Sequence, residues 1–254
     1  MALYDAVLIG IFAAAITAFV LLLLTTAPYG RYGRKGWGPT LQPRWAWLVM
    51  ESPAVFVILV VSAHHAGAEA GGYHAPAVFL LGLWQIHYVY RTFVYPNLMR
   101  AGKRRRFPIL LMAMAIAFNT ANGYVNGYAL FGPPSEEGLL VVGPRYIIGV
   151  LLFVVGFVIH VHSDGILRQL RRPGESDYKV PRGGAFRLIS SPNYFGEILQ
   201  WAGFAVAAWN LAALAFVVFT VANLLPRALS HHRWYKKQFP DYPEDRRAIV
   251  PFLL

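Results

Sequence analysis

The apolar residues of this chain are gathered into seven long runs, approximately 3–25, 46–64, 75–95, 108–130, 145–163, 192–209 and 211–229. Each is close to the roughly 20 residues a helix needs to cross a bilayer. No other feature constrains the fold as strongly, because hydrocarbon offers no water to backbone N–H and C=O groups. Only helices and closed barrels satisfy those groups internally, and runs of this length read as helices. Hydrophobic residues make up 57% of the chain and charged residues 14%, against about 25% charged in a soluble domain. The expected fold class is therefore all-α: one polytopic integral membrane domain over residues 1–254 with seven transmembrane helices. The last two runs meet at Trp209–Asn210, where a tight turn is expected. The first run is too long for a signal-peptide core and has no basic segment before it.

The basic residues choose an orientation. Arg31, Arg34, Lys35 and Arg44 fall in the first connection, and Arg91, Arg100, Lys103, Arg104, Arg105 and Arg106 fall in or beside the third. Arg168, Arg171, Arg172, Lys179, Arg182 and Arg187 belong to the fifth, and Arg227, Arg233, Lys236, Lys237, Arg246 and Arg247 to the C-terminal region. Of the basic residues only Arg145 lies elsewhere, and the loops HHAGAEAGGYHA and FGPPSEEGLLVVG have none. The positive-inside rule then puts the N-terminus outside and the C-terminus in the cytosol. The net charge of +11 reflects topology and contact with anionic membrane lipids rather than nucleic acid. A second reading of the same arginines is a phosphate-rich ligand on the cytosolic face, since the guanidinium fork binds phosphate bidentately.

Helical spacing sorts the polar residues into stripes. His160, Asp164, Arg168 and Arg171 line the end of the fifth run, Asn193 and Glu197 the start of the sixth, and Arg227, His231 and Tyr235 the exit of the seventh. Asn119, Asn122 and Asn126 mark the fourth. Ionisable groups at membrane depth are expensive and usually bind or react with something, so convergence on one cavity is expected. Helix–helix bridging is the alternative for the asparagines. Glu51 is an isolated carboxyl early in the second run, and Tyr88 shares a face with Gln85 and Arg91 on the third. A protonated Glu51 and the Tyr88 hydroxyl can both donate to a carbonyl oxygen, in the manner of an oxyanion hole. Equally, Tyr88 can be an interfacial aromatic and Glu51 the partner of an arginine.

Several chemistries are excluded. There are no cysteines, hence no disulfides, thiolate nucleophiles or Cys-ligated metals. The dinucleotide-fold and P-loop glycine signatures are missing, as are H-E-x-x-H and any H-x-x-x-H pair. No metal is expected, and His231 and His232 read as ligand hydrogen-bonders or interfacial groups.

The segments HYVYRTFVYP, HSDGILRQLRRPGESDYKVPRGGAF, SPNYFGEILQWAGFA and PRALSHHRWYKKQFPDYPEDRRAIVPFLL closely resemble the steroid 5α-reductase family, and the resemblance runs essentially end to end. The C-terminal half is similar, more loosely, to membrane sterol reductases, trans-2-enoyl-CoA reductases and isoprenylcysteine methyltransferases. The family resemblance implies seven helices around an NADPH site facing the cytosol, formed mostly by residues 145–254. It implies reduction of the Δ4 double bond of a 3-oxo-Δ4-steroid, with Glu51 and Tyr88 holding the 3-keto oxygen as catalytic groups and Trp47 joining them at the substrate. The cofactor positions it implies are Arg91, Tyr95, Ser163, Asp164, Arg168, Arg171, Tyr178, Asn193, Glu197, Arg227, His231 and Tyr235. At position 160 the chain carries His where the family pattern has Asn. A steroid or another lipid-soluble enone reaching the site from the bilayer, a monomer, and residence in a bacterial inner membrane or the endoplasmic reticulum complete the expectation. A reductase of another lipid enone or an enoyl-CoA is the alternative with the same pocket. From a different class comes an S-adenosylmethionine-dependent methyltransferase, though that cofactor lacks the phosphates so many arginines suit.

Overall fold

The computed structural model describes residues 2–68, 74–99, 106–133, 140–170 and 177–254. Its helices follow the apolar runs. They are α1 (Ala2–Leu24), α2 (Pro43–Ala68), α3 (Ala75–Val89), α4 (Tyr95–Leu98), α5 (Ile109–Phe131), α6 (Pro144–Gln169), α7 (Pro192–Ala208) and α8 (Leu211–Gln238). α1, α2, α5, α6 and α8 are each long and apolar enough to cross a membrane. α3 has 15 residues and α7 has 17. A π-helical turn, Tyr90–Val94, joins α3 to α4, with the Tyr95 N–H donating to the Tyr90 carbonyl. Beyond Asp5 in its first turn, α1 carries apolar residues around its whole circumference, and Ile9 and Ile16 are both 68% exposed, as suits a helix surrounded by lipid.

Two short strands interrupt the expected all-helical pattern. β1 (Thr40–Leu41) pairs antiparallel with β2 (Phe107–Pro108), Thr40 opposite Pro108. This ribbon fastens the connection after α1 to the start of α5. Ser190 and Ser191 donate backbone hydrogen bonds to the carbonyls of Arg247 and Ala248, so the C-terminal tail braces the start of α7. Trp209 turns the chain between α7 and α8 with φ of 51°. The Asn210 side chain then caps α8 by accepting from the Ala213 N–H at 2.9 Å. The turn expected at Trp209–Asn210 is therefore present.

α6 and α7 pack with their backbones in contact, and four glycines allow it. A Cβ on Gly149 would lie 2.4 Å from the Ala207 nitrogen, and one on Gly156 would lie 2.3 Å from that of Gln200. From the other side, Gly196 meets the His160 nitrogen at 2.5 Å and Gly203 that of Phe153 at 2.4 Å. In each helix the two glycines are seven residues apart and so share one face. Small residues of this kind let membrane helices approach without a hydrophobic driving force. Gly123 and Gly127 of α5 lie close, though less tightly, on Val57, Ile58 and Val61 of α2, with an added Cβ at 3.0–3.3 Å.

Between these pairs lies an aromatic core. Trp84 and Trp201 are fully buried with ring centroids 5.2 Å apart, and Phe216 stands 4.4 Å from Trp201. The Trp84 indole N–H donates to the Ala54 carbonyl at 2.9 Å, which satisfies its polar end as a buried tryptophan requires.

Adding a large side chain at the α6–α7 seam should be far worse than adding it at a lipid-facing glycine. Gly156→Leu is expected to cost on the order of 3 kcal/mol or more and to abolish a monodisperse peak in detergent size-exclusion chromatography. Gly10→Leu, where nothing lies within 4 Å of the added Cβ, should elute and melt as the parent does.

Candidate active site

The close seam brings the polar end of α6 against the start of α7. Because a backbone carbonyl only accepts, the His160 Nδ1–H donates to the Asn193 carbonyl at 3.0 Å. The same imidazole stands 3.6 Å from Asp164 through Nε2 and 3.7 Å from Glu197 through Nδ1. The Asn193 amide donates to Asp164 Oδ1 at 3.1 Å. Four of the striped residues thus form one cluster, with His160 and Asp164 buried, Asn193 and Glu197 half-buried, and His160 at its centre. On its far side the His87 ring lies 5.6 Å away and bonds Gln200, also fully buried.

A cavity of about 310 Å³ opens beside this cluster, at the lower end of the size range of small-molecule sites. Trp47, Tyr95, Asp164, Arg168, Tyr178, Asn193, Arg227, His231 and Tyr235 all line it. They come from α2, α4, α6, α7, α8 and the connection after α6, so the cavity gathers residues from across the sequence. Ser163 is fully buried in α6 next to Asp164. Arg171 lies outside the described residues, as do Arg100, Arg104, Arg105 and Arg172.

The cavity wall also holds residues that the spacing analysis did not single out. Arg31 sits in the 3-10 turn Gly30–Tyr32. Its guanidinium lies 4.5 Å from the Trp234 ring, 4.8 Å from Tyr235 and 5.0 Å from Tyr178, a cation–π arrangement. It also donates to the Tyr235 hydroxyl at 3.3 Å. The His231 ring is held between two tyrosine hydroxyls, Tyr32 at Nδ1 (3.1 Å) and Tyr194 at Nε2 (3.2 Å). Burial raises the Tyr32 phenol above its ordinary value, which keeps it a hydrogen-bond donor. Arg227 bonds the Tyr29 hydroxyl. The GRYGRKGWG loop offers a signal in its mixed arginines and aromatics, and Tyr194 lies within the SPNYFGEILQWAGFA segment. His232 lies apart, bonded to Ser190 at 2.6 Å.

Unsatisfied nitrogens give the cavity its chemical character. Arg31 Nη1, Arg168 Nη1 and Arg227 Nε are buried and have no hydrogen-bond partner among the described residues, nor do Ser163 Oγ and His160 Nε2. Buried donors normally find partners. Three arginines with a free N–H each around one cavity match an anionic ligand with several acceptor oxygens. A nicotinamide dinucleotide carries phosphates that fit this donor set.

Deeper in the fold, Glu51 and Tyr88 form a second polar group. Neither they nor Arg91 and Glu197 line the cavity. Glu51 Oε1 lies 3.8 Å from Arg91 and its Oε2 accepts from the Asn119 amide at 3.3 Å, so the arginine pairing anticipated for it is present. The π-helical turn carries Arg91, which stacks on Trp47 at 4.5 Å and lies over Tyr95 at 5.5 Å. Both rings line the cavity, so Arg91 is the link between the two groups. Tyr88 is 4% exposed, lies against Trp84, Trp201 and Phe216, and has Glu51, Glu197, Arg91 and Asn122 as polar neighbours. It is thus a core residue rather than an interfacial aromatic.

A family model described as 3-oxo-5-alpha-steroid 4-dehydrogenase matches residues 105–254. The chain is 41% identical to 3-oxo-5-alpha-steroid 4-dehydrogenase 1 of Bos taurus over 243 residues, covering 95% of this chain and 93% of the relative. With the protein of the same name from Mus musculus it shares 43% over 244 residues, covering 94% and 92%. With steroid 5-alpha-reductase DET2 of Gossypium hirsutum it shares 37% over 257 residues, covering 99% and 97%. Matched over more than half its length by the family model and nearly end to end by these relatives, the chain belongs to the 3-oxo-5-alpha-steroid 4-dehydrogenase family of oxidoreductases.

Proposed function

We propose that this chain reduces the Δ4 double bond of 3-oxo-Δ4-steroids, or of a close lipid enone, with NADPH as the reductant. The observation that carries the cofactor assignment is the ring of three arginines with unpartnered buried nitrogens around a single cavity. Arg31, Arg168 and Arg227 would hold the phosphates. Asp164, Asn193, His231 and Tyr235 would fix the rest of the dinucleotide, with Ser163, Tyr178, Glu197, Arg91, Tyr95 and Arg171 completing the assigned set. Bound there, the dihydronicotinamide supplies the hydride.

The protein's own part is positioning and charge stabilisation. Tyr88 and Glu51 hold the 3-keto oxygen, and Trp47, on the wall of the neighbouring cavity, joins them at the substrate. Negative charge grows on that oxygen as the double bond is reduced, so donors aimed at it stabilise the transition state more than the ground state. Glu51 performs this role in its protonated form. The Asn119 bond holds its side chain in place, and Arg91 beside it ties substrate and cofactor groups together. The aromatic wall of Trp84, Trp201 and Phe216 excludes water from Tyr88.

The membrane arrangement that supports this chemistry is a single seven-span domain, a monomer, with α3 through α4 and α7 completing the five long spans. The N-terminus lies outside and the C-terminus in the cytosol, which puts the arginine-lined cavity on the cytosolic side. Steroid reaches Tyr88 from the bilayer.

Two outcomes are expected in detergent. NADPH should raise the melting temperature well above the effects of NADH and S-adenosylmethionine, by an amount equivalent to about 2.7 kcal/mol at a hundredfold excess over Kd. Arg227→Leu and Arg168→Leu should each weaken NADPH roughly 10- to 100-fold, the value of a charge-assisted hydrogen bond. Stabilisation by S-adenosylmethionine instead would assign the chain to methyl transfer. For the chemical step, Tyr88→Phe and Glu51→Gln should keep the NADPH shift while turnover of a 3-oxo-Δ4-steroid falls by about 10²–10³. Near-parental turnover in both would remove them from the mechanism.

A further inference from the structure

The C-terminal tail reaches the cavity from behind, and a proline turn sends it there. Phe239, which precedes Pro240, is extended at φ −125° and ψ 110°, as the residue before a proline prefers. The Tyr242 N–H donates to the Phe239 carbonyl at 3.1 Å, and this turn folds the chain back on the helix it has just left. The Tyr242 ring stacks on that of Tyr235, with centroids 5.3 Å apart and planes 8° from parallel. The Arg246 guanidinium stands 5.2 Å from the centroid of the Tyr242 ring. Tyr235 lines the cavity and Tyr242 does not. Tyr242 is buried, so it fills the space behind a residue of the cavity wall.

The Tyr242 hydroxyl is held as well. It lies 2.6 Å from Ser190 Oγ, which is also 2.6 Å from His232 Nδ1 and 3.1 Å from the Arg247 carbonyl. A carbonyl only accepts and a serine hydroxyl has one hydrogen, so that hydrogen goes to Arg247. The two lone pairs of Ser190 Oγ then accept from the Tyr242 O–H and the His232 Nδ1–H. No other arrangement gives all three contacts a hydrogen. Ser190 is buried, lines the cavity and sits just before α7. One tyrosine of the tail thus connects the start of α7 with the end of α8, and both elements contribute to the cavity wall.

We propose that Tyr242 is a positioning residue for the cofactor: bonded to Ser190 and stacked on Tyr235, it fixes Tyr235, and through it Arg31, before the ligand arrives. This role rests on the dinucleotide reading of the cavity given above. Arg31 donates to the Tyr235 hydroxyl and lies over its ring. A shift of Tyr235 therefore moves the guanidinium whose buried Nη1 has no hydrogen-bond partner among the described residues and can meet a phosphate oxygen. A wall ordered before binding spares the ligand the entropy of ordering it. Tyr242 acts behind the wall, so its effect falls on cofactor affinity and not on the chemical step.

The test measures the NADPH Kd by calorimetry, the melting temperature without ligand, and kcat and steroid KM at saturating NADPH. The variants are Tyr242→Phe, Ser190→Ala, the two combined, and Tyr242→Leu. Tyr242→Phe keeps the stack and loses one buried hydrogen bond, so the NADPH Kd should rise about fivefold to tenfold. Its kcat and steroid KM should stay within about twofold of the parent. Ser190→Ala leaves the tyrosine and histidine hydrogens without an acceptor and should raise Kd at least as much. In the Ser190→Ala background, Tyr242→Phe should add less than about twofold, because the bond it removes is already gone. Tyr242→Leu loses the stack too and should raise Kd about fivefold beyond Tyr242→Phe. Parental Kd in Tyr242→Phe, whether or not the melting temperature falls, overturns the proposal. So do fully additive losses in the double variant, or a steroid KM that rises as much as the NADPH Kd. Should Tyr242→Leu fail to fold, the other three variants decide the matter. A parent protein that does not bind NADPH would instead sink the reading of the cavity, so the two failures are told apart.

Discussion

The contact between the backbones of α6 and α7 is the constraint on which the rest of the site depends. Helices with ordinary side chains pack about 8–10 Å apart, and any side chain at these seam positions would have to push α6 away from α7, and His160 with it from the Asn193 carbonyl. Gly149, Gly156, Gly196 and Gly203 remove that spacing. With no side chain between the helices, Asp164, Asn193 and Glu197 come within reach of one imidazole. The fold is held by close van der Waals packing because lipid gives two apolar helices no reason to leave it. The same glycines therefore account for both the stability of the pair and the geometry of the cavity wall.

Charge in such a fold has to be arranged economically, since each buried ion needs compensation. Arg91 serves several partners at once. It stands beside Glu51, is an electrostatic neighbour of Glu197 and Asp164, and covers the faces of Trp47 and Tyr95. The π-helical turn that carries it adds a residue to the helical repeat at the point where the chain passes from the Glu51–Tyr88 group to the cavity. Such turns are common at functional sites. Here the turn shifts the angular phase of every residue after Tyr90, which brings Tyr95 to the cavity from the helix that also carries Tyr88.

Much of this was legible in the sequence, and the physics explains which part. The helices came from apolar runs, because a bilayer imposes a length on any segment that crosses it. The stripes at His160–Asp164–Arg168 and Arg227–His231–Tyr235 came from the helical repeat; of the striped residues Asp164, Arg168, Asn193, Arg227, His231 and Tyr235 line one cavity, whereas His160, Glu197 and the asparagines of α5 do not. Arg31, Tyr32 and Tyr194 did not emerge from that reasoning. A loop has no period, so the mixed arginines and aromatics of the GRYGRKGWG segment hint at a ligand without saying which helices the loop will meet. The β1–β2 ribbon was equally invisible, since two strands of two residues leave no alternation to read. The seven-residue spacing of the glycines was present in the chain, but spacing alone does not say which helix a face will meet.

Pro226 lies within α8, one residue before Arg227. It has no N–H to offer the Ala222 carbonyl four residues earlier, so the helix is weakest there. Arg227, His231 and Tyr235 all follow that point on one continuous helical segment. They stand like the teeth of a single jaw: any rotation at the proline would carry all three toward the cavity or all three away. Capture and release of whatever fills the cavity would on this geometry be concerted, with no stage at which one of the three lets go alone.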